Sequence, residues 1–125
     1  MSSRRLALSA VLTLLMAQPA LAQQTPASLG MPSDPERLSM QCAAAVAMES
    51  YLVEKLGQTP RFDQTAVKAS MDLWGDDFAR RRGTNIAGLA DHEDFVRLAM
   101  SLGQDEQFET RGRQVRWCMA NPPRR

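Results

Sequence analysis

His92 is the only histidine of the chain, and it stands in the run Asp91-His92-Glu93-Asp94. Acidic neighbours can orient an imidazole as a general base or help it hold a metal. On a helix, however, consecutive side chains point in different directions, so these four residues do not converge on one point. A metalloprotease-type site needs a second histidine at His-Glu-x-x-His spacing, and one histidine with a free choice of carboxylates is no metal signature. The run therefore reads as a solvated helix N-terminus. A small hydrolase or metal-dependent enzyme using His92 and nearby carboxylates stands as the alternative.

Other chemistries fare no better. Redox cysteines usually sit at Cys-x-x-Cys spacing, which tunes a thiolate, whereas Cys42 and Cys118 are far apart and read as a structural bridge. No Cys-x-x-Cys-His for haem attachment is present. Ser50, Ser70 and Ser101 lack the glycine-flanked elbow of a serine nucleophile. A glycosidase needs two carboxylates across a cleft, but nothing in the spacing of the 14 acidic residues selects a pair. The run Gly83-Thr84-Asn85-Ile86-Ala87-Gly88 lacks the lysine of a phosphate-binding loop. No cofactor or metal is expected.

The arginines are the most distinctive feature. Arg80, Arg81 and Arg82 are consecutive, and Arg111, Arg113, Arg116, Arg124 and Arg125 gather toward the C-terminus. Arg113 and Trp117, four apart on a helix, are spaced for a cation–π pair. Such groups suit an acidic protein surface, an anionic headgroup or a cell-wall polymer. The candidate binding surface is thus Arg80, Arg81, Arg82, Arg113, Arg116 and Trp117.

The N-terminus bears on the compartment in which these residues would work. Arg4 and Arg5 precede the apolar stretch Leu6 to Met16, and Ala20-Leu21-Ala22 supplies small residues for a signal peptidase. The stretch is shorter than the roughly 20 residues of a membrane span. Pro19 lies just before the cleavage motif, where an extended backbone is wanted. Cleavage after Ala22 is expected. The paired arginines partly resemble a twin-arginine motif, but they also suit an ordinary n-region, so the general secretory route is favoured. No cysteine follows Ala22 to carry a lipid anchor.

Removing residues 1–22 takes Arg4 and Arg5 away, and 15 basic against 14 acidic residues become 13 against 14, a net charge of −1. Nucleic-acid binding normally needs a clearly basic domain, so that function is not expected. Arginine outnumbers lysine by 13 to 2, which suggests a GC-rich bacterial genome and hence a periplasmic or secreted protein. In an oxidising compartment two cysteines most simply pair.

The elements that must position these residues read as helices throughout. Residues 23–33 carry Pro, Gly and Ser without periodicity and read as a flexible lead-in. A first helix is expected from Pro35 to Leu56, with Ser33 and Glu36 as a capping box. Its alanine content (Ala43, Ala44, Ala45, Ala47) marks it as the central helix, closely approached by its neighbours. A second helix runs from about 60–63 to Arg82, with Val67, Met71, Trp74 and Phe78 at amphipathic spacing. Residues 84–90 fit either a loop or a short turn of helix. A third helix is expected at 92–102, capped by Asp91 and stopped by Gly103. A fourth runs from Asp105 to Ala120, with Phe108, Val115, Cys118 and Met119 on its apolar side, and Pro122-Pro123 beyond it.

The expected architecture is all-α: a small up-down bundle of four helices over 34–121, three long and one short in one variant, with a tail at 122–125. In such a bundle the first and last helices run antiparallel. Cys42 near the start of one and Cys118 near the end of the other would then meet. Small exported helical domains with one disulfide include stress chaperones, inhibitors and immunity proteins, a range too wide to transfer function. The reading that follows is a non-enzymatic periplasmic module that binds another protein. A peripheral binder of anionic membrane or cell-wall polymer is a further alternative.

Overall fold

The computed structural model describes residues 24–124, and these are helical with no strand among them. The leader, its cleavage site and Arg125 lie outside the described residues. Among the described residues there are four α-helices: α1 (Pro35–Glu54), α2 (Gln64–Arg81), α3 (Glu93–Leu102) and α4 (Phe108–Ala120). Three 3₁₀ segments accompany them, at Pro26–Leu29, Ile86–Asp91 and Asp105–Gln107.

Helix α1 is the centre. Cys42, Ala43, Ala44, Ala45, Val46 and Met48 are buried, and the helix packs against α2, α3 and α4. Small side chains on several faces make this possible, because each neighbour can approach its backbone. The helix ends two residues before Leu56, which is 64% exposed. Gly57 lies just beyond at φ 71°, a left-handed conformation that glycine adopts without a Cβ penalty. At the other end the N-cap is Asp34, whose carboxylate accepts from the Arg37 amide at 3.1 Å, and not Ser33. Both residues are good caps; Pro35 in the first turn leaves the residue before it extended, which selects Asp34.

Contacts along α1 set the directions of its partners. Ser39 meets Asp77 while Glu54 meets Lys68, so α1 and α2 run in opposite senses. Cys42 meets Cys118 while Glu49 meets Arg111, so α1 and α4 do as well. The Cys42–Cys118 disulfide is fully buried, with Cα atoms 5.7 Å apart. Val67, Trp74 and Phe78 of α2 are buried as their spacing required, with Met71 packed at the edge.

Three local expectations are revised, and one left open, at residues 84–90, is decided in favour of a turn of helix. Residues 24–33, read as a flexible lead-in, pack onto the domain: Leu29 and Met31 are buried, and the Leu29 carbonyl accepts from Gln114 Nε2 at 3.1 Å. Residues 86–91 form a 3₁₀ segment, whose Ile86 and Leu89 lie against Gly75 of α2. Asp91 ends that segment, and the N-cap of α3 is His92 without a side-chain hydrogen bond. Gly103 follows α3 at φ −80°, so it is not a left-handed stop; a Cβ there would lie 2.9 Å from Met48 Sδ, and close packing on α1 is what favours glycine.

Candidate functional site

The end of α2, the end of α4 and the start of α1 meet around a cleft of about 480 Å³. Trp74 and Trp117, the two tryptophans of the chain, both line it, with ring centroids 6.5 Å apart. Trp74 Nε1 donates to the Cys118 carbonyl at 2.9 Å, and Trp117 Nε1 donates to the Gln24 carbonyl at 2.7 Å. With both indole N–H groups satisfied by backbone, what the rings offer the cleft is apolar surface. Leu38, Pro122 and Pro123 extend that surface, and Arg81, Asp77 and Arg124 supply charge.

Asp77 is buried at the cleft wall. It accepts from Ser39 Oγ at 2.6 Å and Arg81 Nε at 2.9 Å, with Arg80 Nη2 at 3.5 Å. Burial works to raise its pKa, but the Ser39 hydrogen bond and the Arg81 and Arg80 guanidinium groups outweigh this and hold the carboxyl below its ordinary value.

The structure separates the sequence-predicted arginines into two kinds. Arg80 and Arg81 are held by Asp76 and Asp77. Arg82 bridges Glu36 of α1 (3.0 Å) and Asp94 of α3 (2.8 Å), and its guanidinium lies 5.3 Å from the Phe78 ring centre. Arg80 and Arg81 thus pair within the last turns of α2, while Arg82 clamps the ends of three helices together. Arg113 and Arg116 are exposed on α4 and Arg124 on the tail, and none of them has a carboxylate within ion-pairing distance among the described residues. Arg113 does not stack on Trp117; its Nη2 reaches Thr110 Oγ1 at 3.5 Å, while Arg116 lies 5.8 Å from the Phe62 ring centre. Of the six residues of the predicted surface, Arg81 and Trp117 line the cleft, Arg113 and Arg116 lie on α4 outside its lining, Arg80 pairs with Asp76 and with Asp77 of the cleft wall, and Arg82 joins Glu36 to Asp94.

Arg111 does not belong with the C-terminal arginines. It is 1% exposed and lies between α1 and α4. Its Nε donates to Glu49 Oε1 at 2.9 Å and its Nη1 to the Leu102 carbonyl at 2.6 Å. Glu49 is fully buried and also accepts two bonds from Arg61, Nε to Oε2 at 3.0 Å and Nη2 to Oε1 at 2.8 Å. Arg61 lies 3.7 Å from the Phe108 ring centre and against Gly112. Burial pushes the Glu49 carboxyl up, and the hydrogen bonds and charges of Arg61 and Arg111 more than reverse it, leaving the pKa lowered. This triad went unnoticed in the sequence. Its one signal is Glu49 itself, a lone charge at the centre of an apolar, alanine-rich helix, where a partner is required.

His92 lies edge-on to Phe78, with ring centres 6.3 Å apart. Its acidic neighbours turn elsewhere, Glu93 to Arg97 and Asp94 to Arg82. Among the described residues, no three His, Cys, Asp or Glu side chains gather as a metal-binding group, and no helix is long and apolar enough to cross a membrane. No protein-family description, curated protein or solved structure matches this chain.

Proposed function

We propose that this chain is an exported, non-enzymatic binding module of the periplasm, delivered by the general secretory route, that acts on another protein through the cleft and the adjoining face of α4. The observation that carries the reading is the convergence of both tryptophans with Arg81 and Arg124, together with two exposed arginines of α4, Arg113 and Arg116, that have no carboxylate partner among the described residues. Aromatic and arginine side chains are enriched at protein interfaces, where they contribute most of the affinity. An up-down arrangement of four helices suits this role, and the opposed directions of α1 with α2 and with α4 support it.

The test is a photo-crosslinking amino acid placed at position 113, and as a control at position 69 on the exposed side of α2, in intact cells. A discrete protein adduct from position 113 and none from position 69 is expected. Absence of any adduct from position 113 refutes the reading. The unpaired arginines also favour a second reading, a peripheral binder of anionic membrane or cell-wall polymer; sedimentation with anionic vesicles, abolished by salt, distinguishes it.

A further inference from the structure

Resting on the binding-module reading above, we infer that the cleft takes an acidic segment of its partner. One bulky apolar side chain of that segment seats against Trp74 and Trp117, while flanking carboxylates meet Arg113, Arg116 and Arg124.

The floor of the cleft selects the anchor. Trp74 is 4% exposed and recessed, and both indole N–H groups are held by backbone carbonyls. Leu38, Pro122 and Pro123 add only apolar contact from their side chains. Asp77, the one carboxylate in the lining, is occupied by Ser39 and Arg81. A polar group set against the two indoles would lose water without gaining an N–H from either ring; the polar groups left to a ligand in the lining are Ser33, Asn121 and Arg124. An apolar side chain loses nothing of the kind, and the cleft, within the range of about 300–1,000 Å³ usual for binding pockets, has room for one with its neighbouring backbone.

The rim selects the charge. With 3.6 residues per turn, Arg113, Arg116, Trp117 and Ala120 fall within an arc of about 100° on α4. The aromatic wall of the cleft and the two arginines therefore belong to one helix face. Arg61, Arg80, Arg81, Arg82, Arg97 and Arg111 all hold carboxylates of the domain itself. Arg37, Arg113, Arg116 and Arg124 hold none among the described residues, and all four are exposed; the last three lie on α4 and the tail that follows it. Charge complementarity across the interface thus calls for acidic residues on the partner. A membrane surface fits less well: interfacial anchors project aromatic side chains outward, and here the aromatic surface is recessed in a concave site.

Both tryptophans line the cleft, so intrinsic fluorescence of the purified protein reports on it directly. The probes are capped five-residue peptides: Glu-Glu-Leu-Glu-Glu, the same with lysine for each glutamate, and the same with serine for leucine. The acidic leucine peptide is expected to shift tryptophan emission saturably, and binding should weaken at least tenfold for either of the other peptides. Arg113→Glu with Arg116→Glu should weaken it at least tenfold at an unchanged melting temperature. Equal responses to the lysine peptide, or no saturation up to about 5 mM, which covers dissociation constants of about 1 mM and tighter, overturn the inference. So does a response to phosphatidylglycerol vesicles without one to the acidic peptide. An adduct from position 113 that maps to a basic or neutral partner surface overturns this inference while leaving the binding-module reading standing; no adduct at all overturns that reading itself.

Discussion

Replacing Glu49 by glutamine tests whether the buried triad is held by charge. The glutamine side chain has nearly the same shape, so packing is preserved. Its carbonyl can still accept the two bonds that now reach Oε1, from Arg61 Nη2 at 2.8 Å and Arg111 Nε at 2.9 Å. Its amide nitrogen, however, faces Arg61 Nε, which now donates to Oε2 at 3.0 Å, and two donors then oppose each other. Arg61 is partly exposed and can turn to water, but Arg111 is 1% exposed and cannot. Its charge is left without a counter-charge in the interior. Breaking a buried pair in this way costs about 3–5 kcal/mol. For a domain of this size that corresponds to a fall in melting temperature of at least about 12 °C. Thermal unfolding followed by circular dichroism, with urea titration to check for an unchanged m-value, measures it. Combining Glu49→Gln with Arg111→Met removes both charges, and this double variant is expected to regain more than half of the loss, although the Leu102 carbonyl loses its donor. A single variant melting within about 3 °C of the parent, or a double variant whose loss equals the sum of the single ones, refutes the argument.

Three other outcomes are expected. Glu49 and Asp77 both have lowered folded-state pKa values, so their stabilisation is fully present above the ordinary carboxylate pKa and is lost as pH falls through the folded values; stability measured by urea titration should be level from pH 5 to 8 and decline below about pH 4, with a shallower decline in Glu49→Gln. Reduction of the Cys42–Cys118 disulfide, or Cys118→Ser, opens a loop spanning 76 positions and should cost up to about 4–5 kcal/mol on the chain-entropy account; equal melting temperatures with and without reductant would contradict it. Gly112→Ala places a Cβ 2.8 Å from Arg61 Nη1, which Glu49 and Phe108 hold in place, so it should destabilise by about 1–3 kcal/mol. In an Arg61→Ala background the same change should become stabilising by up to about 1 kcal/mol through helix propensity, and a loss in both backgrounds would show that Arg61 is not the obstacle.

The helices were largely legible because they depend on local features. The spacing of Val67, Trp74 and Phe78, the alanine content around Cys42 and the glycines at 57 and 83 act within a turn or two of chain, and each element lies close to where these signals place it. Ends were less legible where two good caps compete, as at Ser33 and Asp34, or where a glycine is favoured by a distant Met48 and not by its own backbone angle. The pairing of Cys42 with Cys118 was legible for a different reason: with only two cysteines there is one possible intramolecular partner.

The arginines mark what sequence by itself leaves open. Their number, their crowding near 80–82 and 111–125 and their helical spacing are all written in the chain. Their roles are not, because an arginine on an amphipathic helix can face water, a helix end or a buried carboxylate, and the choice depends on residues remote in sequence. Arg111 answers to Glu49, 62 positions away, and Arg82 to Glu36 and Asp94 on two other helices. Trp74 and Trp117 likewise become one cleft only because the Trp74 indole meets the Cys118 carbonyl beside the disulfide. Helix formation is local and can be read from spacing; the pairing of charges and the shaping of a cleft are set by packing, and only the tertiary structure decided them.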